Sequence, residues 1–244
     1  MSYRLAGLGL VLLGLGLLAC VPAPPMTSPA PTSTPALPSS TSVPTEPPPA
    51  TATAPVPTAA AAGRANSVIF RIVPGESQAS YEVGETFFNQ NNRFNIAVGV
   101  TTAIEGQIEA NLADPPASRL GPITVDVSQL RSDSSRRDNY LRNNALESAR
   151  YPLVTFTPTA VEGLPTAYVE GQDYTFRVRG DLTVRQTTRP VTFAVTARLE
   201  GQTLSGTATT TILMSDFGIG PIDLVGILRT EDAVKLTLTF TARP

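Results

Sequence analysis

Residues 174–185 read Tyr-Thr-Phe-Arg-Val-Arg-Gly-Asp-Leu-Thr-Val-Arg. Tyr174, Phe176, Val178, Gly180, Leu182 and Val184 fall on one side of a period-two alternation, and Thr175, Arg177, Arg179, Asp181, Thr183 and Arg185 on the other. Strand side chains point alternately to opposite faces, so this stretch predicts a long strand with one buried face and one wet face. The pattern recurs downstream. Val191, Phe193, Val195, Ala197 and Leu199 alternate with polar or small residues, as do Val234, Leu236, Leu238 and Phe240. Glu200-Gly201-Gln202 reads as a hairpin turn into a strand beginning near Thr203. Working outward, further strands are expected near 68–73, 78–84, 95–102, 104–111, 122–128 and 153–161. In 95–102 both faces are apolar, so the pattern does not choose the inner one. Ser135–Leu146 breaks the alternation and predicts a short polar helix, capped by Ser134 or Ser135, with Tyr140 and Leu141 facing inward. Eight to ten long antiparallel strands stack as a sandwich or close as a barrel, and a closed barrel of about eight can hold one small ligand.

The first 66 residues have a different composition. Arg4 followed by the apolar run Leu5–Leu18 reads as a signal peptide over residues 1–19, too short to serve comfortably as a membrane span. It ends in Leu17-Leu18-Ala19-Cys20, which resembles a bacterial lipobox, so Cys20 is the expected lipidation site and membrane anchor. Residues 21–66 hold 13 of the chain's 23 prolines among Ala, Thr and Ser. Such a segment lacks the apolar surface to offset ordering and predicts a disordered tether, with a reach on the order of 100 Å. The folded domain is therefore expected over 67–244, outside the cytoplasm.

Composition also removes functions. The 244 residues contain no histidine, no tryptophan and one cysteine. Histidine-based triads, histidine metal sites, thiolate zinc clusters and intrachain disulfides are excluded. The formal charge of −2, without a basic stripe, argues against a nucleic-acid partner. No EF-hand spacing is present, so no metal is expected, and the chain reads as a non-enzyme.

Seven motifs in order resemble the YceI-like family of exported bacterial proteins. They are Phe70-Arg71-Ile72-Val73-Pro74, Ile104-Glu105-Gly106 with Ile108, Ile123-Thr124-Val125-Asp126-Val127 before Arg137-Asp138-Asn139-Tyr140-Leu141, Tyr151-Pro152 with Phe156, Gly180-Asp181-Leu182-Thr183-Val184, Arg189-Pro190-Val191, and Ser215-Asp216-Phe217-Gly218-Ile219. The chain departs from the family pattern at Gln186, where a glycine is usual, and at Met214, where an arginine is usual. The resemblance implies an all-β, antiparallel lipocalin-like barrel with an apolar interior that binds a long isoprenoid chain, such as a polyprenyl phosphate or a quinone. It implies no other cofactor.

The inward candidates for ligand contact are Phe176, Val178, Leu182, Phe193, Val195, Leu236 and Leu238; plain core packing is the competing role for each. Gly180, in mid-strand, marks a bulge, a bend or a close approach, and a barrel bend is the expectation. Arg137 and Asp138 read as a surface salt bridge or a helix-to-barrel latch rather than a catalytic or phosphate-binding pair. Asp216 reads as a carboxylate tying down its own turn rather than as a catalytic partner of Asp223. Two functions follow: a membrane-anchored lipid carrier with a hollow barrel, or a non-catalytic envelope interaction module whose barrel is filled by side chains. A homodimer is compatible with either.

Overall fold

The structure, a computed structural model, describes residues 67–244. The expected signal peptide, Cys20 and the tether lie outside the described residues. The strands are β1 (Ser67–Ile72), β2 (Gln78–Phe87), β3 (Arg93–Thr101), β4 (Ile104–Glu105), β5 (Gln107–Asn111), β6 (Arg119–Leu120), β7 (Ile123–Asp126), β8 (Arg131–Ser132), β9 (Leu153–Glu162), β10 (Asp173–Val184), β11 (Thr187–Glu200), β12 (Thr203–Leu213), β13 (Asp223–Leu224) and β14 (Leu228–Arg243). One short helix, α1 (Ser135–Tyr140), runs on into a π-helical turn over Leu141–Ala145.

Antiparallel pairing runs β7-β9-β10-β11-β12-β14-β1-β5. The path then returns to its start. β4 and β5 flank Gly106, and β4 pairs with β7 while β5 pairs with β1 and β6. Ile72 N donates to Gly106 O at 3.0 Å and Gly121 N to Gln107 O at 2.9 Å, which carries hydrogen bonding across both breaks. With β4–β5 and β6–β7 each counted as one interrupted stave, the result is a closed antiparallel lipocalin-like barrel of eight staves. β14 belongs to two ladders on one side. Leu228–Thr239 pair with β2, and Ala242 and Arg243 pair with β1. β2 and β3 thus form a hairpin branching off the barrel, with β8 against β3.

The 95–102 segment resolves against residue size. Ala97, Gly99 and Thr101 are buried, while Phe94, Ile96 and Val98 are 54%, 57% and 44% exposed. The inner positions must be small because Tyr81, opposite Gly99 on β2, lies across β3. A Cβ on Gly99 would sit 2.2 Å from Tyr81 Cε1. Gly180 marks a bulge. Arg179 opposes Ala160 and Gly180 opposes Pro158, so the register shifts between them. The position also seats Phe156, whose Cζ would lie 2.6 Å from an added Cβ.

Ser134 caps the helix by accepting from Arg137 N at 3.3 Å. The helix's inward positions are Arg137, Leu141 and Ala145, spaced at i, i+4 and i+8; Tyr140, half-buried like Leu141, does not join them. The turn after Val184 places Arg185 in the left-handed region at φ 56°. The Arg185 guanidinium donates to Ala145 O at 3.1 Å and pairs with Glu147, holding the turn against the helical segment.

The turn at Ser215 is tied down by a carboxylate other than the expected Asp216. A bulge in β14 between Thr230 and Val234 delivers Asp232, which accepts from Ser215 N at 2.8 Å and from Ser215 Oγ at 2.6 Å. Asp216 is exposed and contributes its backbone oxygen, which accepts from Arg189 Nε. The Ser215 bonds hold the Asp232 carboxyl below the usual carboxylate range, as Arg137 does for Asp133 and Arg243 for Glu76. Groups with lowered folded-state pKa values contribute stability above their unfolded values and lose it as pH falls through the folded ones. Because the chain lacks histidine, the melting temperature should be flat between about pH 5 and 8. It should fall steadily once pH drops below 4.5, the ordinary value of the glutamate. Differential scanning calorimetry from pH 2 to 8 checks this; a step between pH 5 and 8 would contradict it.

Candidate ligand-binding site

The inward faces of the staves leave space between them. One lobe of about 240 Å³ is walled by β2, β7, β9–β12 and β14, with Leu141, Ala145 and Leu146 from the helical segment. A second lobe of about 170 Å³ lies toward Leu112, Leu164 and Tyr168. Leu120, Ile123, Val178, Val195, Ala208 and Leu238 line both, so the lobes adjoin at a waist formed by these side chains. Spaces of this kind are lined by apolar side chains with a few polar groups that fix orientation.

All seven ligand-contact candidates lie on this wall. Val178, Leu182, Phe193, Val195, Leu236 and Leu238 line the larger lobe, and Phe176 lines the smaller one with Val178, Val195 and Leu238. Phe193 meets Phe156 edge to face, with ring centroids 4.9 Å apart and planes at 70°. Two inward positions here carry small residues. Ala208 lies at the waist itself and Ala197 on the smaller lobe.

The polar end of the larger lobe was not anticipated as a unit. Arg137 Nε donates to Glu85 Oε1 at 2.9 Å and its NH2 group to Glu85 Oε2 at 2.8 Å. The two side chains are only 14% and 5% exposed. The NH1 group donates to Ser132 Oγ at 3.0 Å and to Asp133. The bonds to Glu85, against the opposing effect of burial, hold the Arg137 guanidinium even more firmly in its charged form. Arg137 is thus the latch its position suggested. Asp138 takes no part in a pair with it and instead accepts from Ser132 N at 3.0 Å and Ser132 Oγ at 2.6 Å.

Tyr81 stands beside this cluster on the same inward register as Val83 and Ala79. Burial pushes its phenol well above the usual tyrosine range, opposed by Arg137 and reinforced by Asp138, Glu85 and Asp133. Its Oη is buried and has no hydrogen-bond partner. The alternation Tyr81, Val83, Glu85 was the signal in the sequence; the buried carboxylate at its end was not legible without the arginine that meets it. Met214, in the place of the family's usual arginine, is buried in the wall of the larger lobe. Among the described residues no group of three or more metal-ligating side chains converges on one point.

Comparison with known proteins agrees with this architecture. The "UPF0312 protein" of Pseudomonas putida is 32% identical over 131 residues, which span 50% of this chain and 64% of that protein. "Protein YceI" of Escherichia coli is 30% identical over 105 residues, 43% of this chain and 49% of that protein. The match therefore spans less than two thirds of these relatives. The crystal structure of Burkholderia cenocepacia BcnA superposes with a TM-score of 0.52 at 19% identity, covering 70% of this chain and 98% of that one. A polyisoprenoid binding domain from Saccharophagus degradans superposes with a TM-score of 0.53 at 11% identity, covering 71% and 97%. Both likenesses are of fold. A family profile described as a YceI-like domain matches residues 70–242. That span opens inside β1 and closes inside β14, taking in the whole barrel, and so the chain belongs to the YceI-like family.

Proposed function

We propose that the barrel binds a long isoprenoid chain, or a similar amphiphile, for carriage or storage outside the cytoplasm, and that the protein is tethered to a membrane through lipidated Cys20. The observation that carries the reading is the pair of adjoining apolar lobes inside the barrel, with the polar Tyr81–Glu85–Arg137 cluster at one end. An apolar chain is held there by removing its surface from water, at about 25 cal/mol per Å². The fold likeness to a polyisoprenoid binding domain supports the same reading. The lipobox-like Leu17-Leu18-Ala19-Cys20 and the proline-rich tether support export and anchoring. The role is that of a non-catalytic holder. The lobes weigh against the alternative of a barrel filled by its own side chains.

Native mass spectrometry of the purified protein, followed by organic extraction, tests this. A stoichiometric apolar adduct of isoprenoid mass is the expected result. A clean protein mass, with no thermal stabilisation on adding polyprenols or quinones, would replace the carrier by an interaction module. Palmitate labelling lost in Cys20→Ser checks the anchor.

A further inference from the structure

The cluster at the end of the larger lobe points to the chemistry of the ligand's polar group. Glu85 and Arg137 are the charged residues on that lobe's wall, and they neutralise each other through two hydrogen bonds. A third and a fourth donor of the guanidinium are taken by Ser132 and Asp133. Around the Tyr81 hydroxyl the charges are therefore one guanidinium against the carboxylates of Glu85, Asp133 and Asp138. A phosphate placed here would add negative charge to a site already acidic in sum, and would have to displace Glu85 to reach Arg137. Met214 adds only a thioether to the wall.

Two of the other inward polar side chains are satisfied. Thr101 Oγ1 bonds to Asp126 O and Ala103 N, and Thr230 Oγ1 to Ile222 N. Thr237 Oγ1, opposite Ser80 on the lobe's lining, is buried without a partner. Tyr81 Oη is buried without a partner on the same wall, and of the two it is the one beside the charged cluster. A buried unsatisfied hydroxyl is costly, and the cost is removed by an acceptor supplied from outside the chain. A phenol donates well to a neutral oxygen. The surrounding carboxylates disfavour its ionisation, so it remains a donor.

We propose that Tyr81 donates its hydroxyl hydrogen to an uncharged acceptor of the bound amphiphile, a carbonyl or ether oxygen, and that the larger lobe thereby selects a neutral head over a phosphate-bearing one. This deepens the carrier reading and rests on it.

The test uses the full chain and four probes with matched isoprenoid tails: a benzoquinone, the free alcohol, the monophosphate and the bare hydrocarbon. The quinone should bind most tightly, at least tenfold better than the monophosphate. Tyr81→Phe should weaken the quinone by about five- to tenfold, the size of one hydrogen bond. It should leave the hydrocarbon unchanged and raise the melting temperature of the empty protein. The carbonyl stretch of bound quinone should lie at lower frequency in the native chain than in Tyr81→Phe. A phosphate that binds as tightly as the quinone, or a Tyr81→Phe chain with unaltered quinone affinity and carbonyl stretch, overturns the head-group assignment while leaving the carrier reading intact. Failure of all four probes, the hydrocarbon included, overturns both.

Discussion

An Arg137→Met chain is expected to melt roughly 10 °C below the native protein. The reason is the partner it abandons. Glu85 is 5% exposed, and its two carboxylate oxygens each accept from the guanidinium. Removing one member of a buried ion pair leaves an uncompensated charge in the interior, at a cost of about 3–5 kcal/mol. For a domain of this size each kcal/mol lowers the melting temperature by about 2–4 °C. The double substitution Glu85→Leu with Arg137→Met should recover most of the loss, since a buried pair replaced by packed apolar groups is commonly neutral or better. Urea and thermal unfolding of the two single variants and the double variant close the cycle. A native-like melting temperature in Arg137→Met would mean that the pair does not fasten the helix to the barrel.

The second large effect concerns binding. Ala208 is 8% exposed and sits at the waist where the two lobes meet. Ala208→Phe should place a ring across that waist. Each methylene kept out of an apolar site forfeits about 0.8 kcal/mol, so excluding one five-carbon isoprene unit removes about 4 kcal/mol, close to three orders of magnitude in Kd. The fold should survive, because the ring enters existing space rather than a close-packed core. Isothermal titration with a long-chain polyprenol reads the affinity, and circular dichroism reads the fold. Undiminished affinity in a folded Ala208→Phe chain would place the ligand outside the barrel.

Much of this was legible in the residues. β10, β11 and β14 carry strict alternation because each has one face on the lobes and one in water, and period two survives wherever that holds. Those strands supplied all seven wall residues named from sequence. The pattern failed on β3. There the branching hairpin faces Tyr81 on its inner side, so Ala97 and Gly99 take the core and the larger Phe94, Ile96 and Val98 point outward. Hydrophobic size alone assigns that strand backwards. Asp232 was overlooked for a different reason: a bulge in β14 changes which residue reaches Ser215, and a bulge leaves no mark in a period count. Tyr81 and Glu85 acquire meaning only from Arg137, 52 residues after Glu85, and only long-range pairing brings them together.

The double membership of β14 has a consequence for biogenesis. The last 16-residue strand is the partner of β12, of β2 and of β1, so it closes the ring and holds the hairpin at once. No earlier segment substitutes for it. A nascent chain that has not yet released β14 therefore has staves but no closed barrel, and its apolar faces remain uncovered until that strand is made. Such dependence on contacts far apart in sequence makes for slow folding. That delay keeps the chain open until β14 is available, and makes that one strand the trigger for closing the barrel.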